Sequence, residues 1–171
     1  MIIFLPVIPY YTPFLNFSII CNISYFCYAH HMNIITVAEE RDFEGIYQLV
    51  CQLEKTVFDQ EAMYEVFQHA ILNHSIFISK DNDRITGYLV LSITYQMHHC
   101  GKVAEVVELC VDNDFQNRKI GTDLLNHAMT YAKLQGCVNM DITTNQKRKD
   151  AHRFYRRNGL NNTHYKFTKQ L

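Results

Sequence analysis

None of the six cysteines forms a Cys-x-x-Cys pair, and none stands at a zinc-like spacing. Several lie inside apolar runs, where a free thiol behaves as a small hydrophobe, so a disulfide framework is excluded and a reducing, cytoplasmic setting is expected. Net charge is scarce too: a balance of −1 gives no reason to expect a general nucleic-acid binder. Residues 1–31 contain no Lys, Arg, Asp or Glu, yet hold all three prolines of the chain. A secretory signal needs a positively charged start, which is missing here. A membrane span needs about 20 apolar residues. The best window, Phe14 to Ala29, is shorter and is broken by Asn16, Ser18, Asn22 and Ser24. Residues 1–31 are therefore expected to be an extension outside the folded domain, with Met32 as the working start. The alternative is a weak membrane-associating leader. Residues 32–171 show no repeat, linker or low-complexity tract, and no stable membrane association is expected of them.

What remains is enough for one domain with a real core: 171 residues, 48% hydrophobic and 19% charged. The charge is unevenly placed. Acids outnumber bases from Glu39 to Glu65, whereas Asp150 is the single acid from Lys147 onward, a distribution that suits an anionic ligand or a solvated helix face. "NIITVA" reads as a strand, and Phe43, Ile46, Leu49, Val50 and Leu53 then recur at helical spacing. Asp59 is placed to cap a second helix whose apolar face is Met63, Val66, Phe67, Ala70 and Ile71. Three strands follow, "SIFISK", "ITGYLVLSITYQ" and "KVAEVVELCVD". A helix from Lys119 to Gln135 buries Ile120, Leu124, Leu125, Ala128 and Ala132 and stops at Gly136. "CVNMDITT" is a strand, "KRKDAHRFYRRNG" a helix, and "HYKFTKQL" a closing strand. The order β-α-α-β-β-β-α-β-α-β predicts an α/β (α+β) fold with a mixed, mostly antiparallel sheet. It includes one parallel pair joined by a crossover helix.

Between a strand and a helix stands "QNRKIGTDLL", residues 116–125. A sharp strand-to-helix turn leaves amides without partners at the positive end of the helix dipole, a seat for phosphate. A charged turn with an ordinary helix cap is the plainer account. Small Gly121 admits a ligand close to the backbone, and Thr122 offers a hydroxyl. In "AEVVELCVD", Glu105 and Glu108 interrupt an apolar strand. Three residues apart, they face opposite sides of a regular strand, and a bulge would change that. The plainer account is two solvent-facing carboxylates. His98 and His99 are adjacent and diverge in a strand, so a metal site needs one of them together with Glu105 or Glu108.

Gln116-x-x-Lys119-x-Gly121 resembles the pyrophosphate loop of the GCN5-related N-acetyltransferases (GNAT), Gln/Arg-x-x-Gly-x-Gly/Ala. Lys119 stands where that pattern has its first glycine, and is tolerated if the loop is not strongly left-handed. "DAHRFYRRNGL" resembles the same family's Ala-x-x-x-Tyr-x-x-x-Gly helix. Four longer blocks, "FDQEAMYEVFQHAIL", "HHCGKVAEVVELCV", "TTNQKRKDAHRFYRRNG" and "HYKFTKQL", look like the aminoalkylphosphonate N-acetyltransferases, over about residues 33–171.

The resemblance implies a GNAT fold with helices on both faces of the sheet and acetyl-CoA as co-substrate. It implies N-acetylation of a small primary amine, here an aminoalkylphosphonate. Tyr155 then protonates the leaving thiolate, and Glu105 or Glu108 takes the amine proton. Leu109, Cys110 and Val111 pair through their backbones with the pantetheine arm. Gln116, Asn117, Arg118, Lys119, Ile120, Gly121 and Thr122 hold the pyrophosphate, with Asn145 on the pantetheine amides and Arg153 toward the cofactor. Arg148, Lys149, Arg153, Arg156, Arg157 and Lys166 are the candidate partners of a phosphonate dianion. The resemblance also admits a divalent metal and a homodimer.

Other readings stay open at this point. The acceptor of such an enzyme could be a polyamine, an aminoglycoside or a protein N-terminus; an acidic acceptor pocket points to the first two, a basic one to a phosphonate. A non-catalytic acetyl-CoA sensor would more naturally have lost Tyr155. A nucleic-acid module built on the basic, aromatic C-terminal third is opposed by the near-neutral charge.

Overall fold

The structure, a computed structural model, describes residues 33–170; the predicted extension at residues 1–31 lies outside the described residues. A short strand β1 (Ile35–Val37) leads to helices α1 (Phe43–Glu54) and α2 (Gln60–Asn73). Glu39 and Asp42 exchange hydrogen bonds in a capping box ahead of α1, and the Asp59 side chain accepts the Ala62 amide at 2.8 Å to start α2. Strands β2 (Ser75–Asp81) and β3 (Arg84–Gln96) form a hairpin, followed by β4 (Gly101–Val111). Helix α3 (Ile120–Leu134), strand β5 (Cys137–Ile142) and helix α4 (Lys149–Arg157) complete the order. The sheet runs β1-β2-β3-β4-β5, antiparallel up to β4 and parallel between β4 and β5, with α3 as the crossover.

Both faces of the sheet are covered, as the family resemblance implies. Phe77, Leu89, Leu91, Ala104 and Val106 pack against Ile120, Leu124, Leu125, Ala128 and Ala132 of α3. Ile76, Ile78, Tyr88, Val90 and Cys110 turn the other way, onto Ile46 and Leu49 of α1 and Phe67 of α2. The first turn of α3 comes very close to the sheet at Gly87. A Cβ there would lie 3.0 Å from the Cys110 carbonyl and 3.1 Å from Ile120 Cγ2. This close approach fixes where the N-terminus of α3 sits against β4.

Three expectations change. Val66 is 63% exposed, because Tyr64, Phe67 and Ile71 set the inward stripe of α2 and Val66 falls off it. "HYKFTKQL" is not a strand: residues 161–170 are irregular and exposed, with Tyr165 and Phe167 at 84% and 94%. Its alternating pattern is right for a strand, but it pairs with nothing among the described residues, and a strand exists only through its partner. His98 and His99 lie in the 3-10 turn Met97–His99 between β3 and β4, not in a strand, with ring centroids 4.3 Å apart.

Candidate active site

The parallel β4–β5 pairing ends at Val106–Ile142, while β4 runs on to Val111. Along residues 107–111 the β4 edge facing β5 has no strand beside it among the described residues, so its amides and carbonyls are open to a ligand. A bulge marks the same point. Leu91 pairs with Val106 and Val90 with Glu108, leaving Val107 without a partner and 46% exposed. Ser92 pairs with Glu105, so Glu105 and Glu108 both stand opposite residues of one β3 face. The bulge turns two carboxylates that regular pleating would separate onto the α1–α2 side. Glu108 accepts a 2.7 Å hydrogen bond from the fully buried Tyr88 hydroxyl.

Beyond β4 the chain turns on Asp112, which is 5% exposed. Its carboxylate accepts the Asp114 amide at 3.1 Å and pairs with Arg84 at 2.7 Å. Burial works against its charge, but the Asp114 amide, Arg84 and Gln52 outweigh that and hold the carboxyl below the usual range. Arg84 and Arg118 lie over the Phe115 ring at 5.0 and 4.7 Å.

The loop into α3 then takes two left-handed residues, Asn117 and Lys119, each at φ 64°. Asn tolerates that region; Lys does not do so freely. The condition on which Lys119 is expected to be tolerated, a loop that is not strongly left-handed, is therefore not met. Reversing from strand to helix here requires that conformation, and Lys119 adopts it at the N-cap of α3 with no side-chain cap. No hydrogen bond joins the backbone N–H groups of residues 116–122 to another described residue. With exposed Arg118 and Lys119 and the positive end of a 15-residue helix, they form a seat for an anion. Gly121 serves this less directly than its position suggests. A Cβ there would meet Phe154 and Val111 at 3.4 Å, an ordinary contact, so its bare backbone is turned toward α4. The Gln116 amide is spent on Asn113 at 2.9 Å, and the Ile120 side chain is buried, so Ile120 offers backbone only.

Helix α4 is launched by Asn145, whose side chain accepts the Lys147 amide at 2.9 Å. Phe154 and Tyr155 pack against the same buried cluster as Leu109, Val111 and Ile142, and Phe154 comes up to Gly121 beside Val111. Its hydroxyl has no hydrogen-bond partner among the described residues. Burial raises the phenol's pKa, and Arg148 opposes this. Arg148 pairs with Glu54 at the end of α1 at 2.7 Å. Cys110 packs against α1, and burial pushes its thiol up to about 12. Arg153 is exposed and pairs with Asp150.

Tyr88 and Glu54 are the members of this site that sequence reasoning missed. Tyr88 sits in an apolar run and reads as core, and nothing in the sequence singles out the last residue of α1. The histidine–glutamate pairing that a metal site would need is not assembled among the described residues. Gly101 starts β4 after the histidine turn, and Glu105 is about 13 Å further along the strand. Among the described residues no three His, Cys, Asp or Glu side chains are grouped to hold a metal ion. A cavity of about 480 Å³ lies elsewhere, between α1 and the β2–β3 hairpin, lined by Arg41, Gln48, Gln52, Arg84 and Asp112. Arg84 and Asp112 of its lining pair with each other, and it touches neither Tyr155 nor the open β4 edge.

Known proteins agree with this geometry. Residues 43–160 match a family described as "Acetyltransferase (GNAT) family". The aminoalkylphosphonate N-acetyltransferase of Salmonella typhimurium (strain LT2) is 33% identical over 136 residues, which is 78% of this chain and 88% of that one. In fold, the chain is similar to a transcriptional regulator from Bacillus halodurans C-125, with a TM-score of 0.76, 21% identity, and coverage of 82% and 100%. It is also similar to an aminoglycoside N-acetyltransferase in complex with CoA, with a TM-score of 0.72, 16% identity, and coverage of 82% and 95%. With a parallel pair that parts beside an uncapped helix N-terminus, and with sequence likeness across most of the chain, this protein belongs to the GNAT acetyltransferase family and is an N-acetyltransferase.

Proposed function

We propose that the enzyme moves the acetyl group of acetyl-CoA onto the primary amine of an aminoalkylphosphonate. The observation that carries the acceptor class is Arg148, a guanidinium whose charge reaches Tyr155 and whose ion-pair partner among the described residues is the exposed Glu54. A dianionic phosphonate is a stronger partner for that guanidinium than one carboxylate. The Salmonella relative's name supports the same class.

In this reading the open backbone of Leu109, Cys110 and Val111 takes the pantetheine arm like an added strand. The amides and cations of residues 116–122 take the pyrophosphate, Asn145 offers its free amide N–H groups to the arm, and Arg153 adds charge nearby. The bound thioester supplies an electrophilic carbonyl and a sulfur leaving group. Glu105 or Glu108 removes a proton from the acceptor's ammonium, which frees the nitrogen lone pair. As the C–N bond forms and the C–S bond breaks, the Tyr155 phenol gives its proton to the departing sulfur. The second nitrogen proton restores the phenol. No step is routed through a metal.

A second acceptor class has its own observation: Glu54, the partner of Arg148, and Glu108 both act on the Tyr88 phenol, and two carboxylates on one side of the sheet suit a polyamine or an aminoglycoside. Release of thiol from acetyl-CoA, with aminomethylphosphonate, 2-aminoethylphosphonate, spermidine and an aminoglycoside compared, separates the two. Faster turnover of the phosphonates supports the proposal. Turnover of the cationic amines alone rejects it. Tight acetyl-CoA binding without turnover of any amine favours the sensor.

Action in the cytoplasm, independence of nucleic acid and a homodimeric state remain parts of this proposal. Among the described residues no helix is long and apolar enough to cross a membrane.

A further inference from the structure

Tyr88 is fully buried among Ile46, Leu49, Ile78, Val90 and Cys110, a setting that a phenylalanine would fill equally well. Its hydroxyl adds a polar atom to an apolar core, and its recorded hydrogen bond is the one it donates to Glu108 at 2.7 Å. That bond depends on the bulge. With Val107 left over, Glu108 pairs with Val90, two residues from Tyr88 and on the same face of β3. Glu108 also lies just past the last β4–β5 pair, where the strand edge is open. Glu105 differs on each point. It is enclosed between Ser92 on β3 and Asp141 on β5, and no side-chain hydrogen bond to a described residue holds it.

We infer that Tyr88 is a positioning residue that fixes the Glu108 carboxylate for proton uptake from the acceptor amine, so that Glu108 rather than Glu105 is the base. The inference rests on the acetyl-transfer reading of the site, not on which amine is accepted. An N–H bond of the ammonium breaks, nitrogen keeps the electron pair, and the proton joins a Glu108 oxygen before passing to solvent. Tyr88 keeps its own proton, because burial first and Glu108 second raise its pKa far above neutrality. The charged and titratable groups around the pair are Glu54 from α1, Glu105 and Cys110 on the same face of β4, Asp112 just past β4 and Arg148 ahead of α4. On this side α2 and β2 contribute apolar Phe67, Ile76 and Ile78.

The test is kcat and kcat/KM against pH for the full chain, Tyr88→Phe, Glu108→Gln and Glu105→Gln, using the best of the four amines above. Glu108→Gln is expected to lower kcat about 100-fold or more and to remove the acid limb, with KM for acetyl-CoA unchanged. Tyr88→Phe keeps the packing and loses one O–H that steadies a negative charge. Its kcat is expected to fall about tenfold, again with KM for acetyl-CoA unchanged. A purely structural tyrosine would lower thermal stability and leave kcat of the folded enzyme in place. A Tyr88→Phe kcat equal to that of the wild type overturns the inference. So does loss of the limb in Glu105→Gln with its retention in Glu108→Gln. If Tyr88→Phe does not fold, the two glutamine variants decide the base. A wild type that acetylates no amine sinks the catalytic reading and this inference together. Turnover confined to cationic amines sinks only the phosphonate.

Discussion

Replacing Lys119 with glycine removes a side chain from a position the backbone holds in the left-handed region, at φ 64°. A non-glycine residue there costs roughly 1–2 kcal/mol in steric strain. Glycine gives part of this back, because a freer unfolded chain costs about 0.4–1 kcal/mol. The difference predicts that Lys119→Gly is more stable by about 1 kcal/mol, a rise of roughly 3 °C in Tm for a domain of this size. The side chain is exposed and makes no recorded hydrogen bond or ion pair, so little else is lost on folding. Ligand affinity should move the other way. One cation leaves the anion seat, so acetyl-CoA binding should weaken modestly, and less so in high salt. Lys119→Ala separates the two effects, since it loses the charge and keeps the strain. Calorimetric unfolding of the three proteins, with acetyl-CoA titrations at two salt concentrations, measures both. A Lys119→Gly protein no more stable than Lys119→Ala would refute the strain argument.

Two further outcomes are expected. Tyr155→Phe should lower kcat about 100-fold or more with little change in KM for acetyl-CoA. The phenol acts in its protonated form and its pKa is raised above 10, so the wild type should show no loss of this acid across neutral pH, and a falling limb only in strong alkali. Steady-state kinetics against pH checks both points; a Tyr155→Phe enzyme at wild-type kcat would remove Tyr155 from the chemistry. Asp112→Asn should destabilise the domain by about 1–2 kcal/mol at neutral pH, because a buried acceptor of charge-assisted bonds is weakened. The Asp112 carboxyl is held below its unfolded value. Its stabilisation is therefore present above about pH 4 and is lost as pH falls through the lowered value. Denaturant titrations of both proteins from pH 7 to 3 should converge at the acid end, and curves that stay parallel would contradict the assignment.

Helix α3 was legible in the sequence because one side of it is a continuous buried stripe. Ile120, Leu124, Leu125, Ala128 and Ala132 are all enclosed, and Gly136 ends it at φ 77°. The strand order was legible as well, since each β1–β4 neighbour is also next in sequence and only α3 has to cross over. The handedness at Lys119 was not, because it is set by how the end of β4 meets α3 and not by any property of Lys. The bulge at Val107 depends on a register shift against β3, which no pattern within β4 reveals. Without it the relation of Glu105 to Glu108, and of Tyr88 to Glu108, cannot be read. The Glu54–Arg148 pair joins residues 94 positions apart, and only the folded sheet brings them together. The closing segment shows the converse: Tyr165 and Phe167 alternate as in a strand, and alternation alone does not supply the partner.

The catalytic roles given to Tyr155, Glu108 and Tyr88 require the cofactor to enter where β4 and β5 part. Backbone amide shifts of isotope-labelled protein, followed by NMR during a titration with CoA, test that directly. The account predicts the largest changes at Leu109–Val111 and residues 117–122, with smaller ones around Tyr155. Changes centred instead on Gln48, Gln52 and Arg84, which line the cavity beside α1, would place the cofactor elsewhere and contradict it.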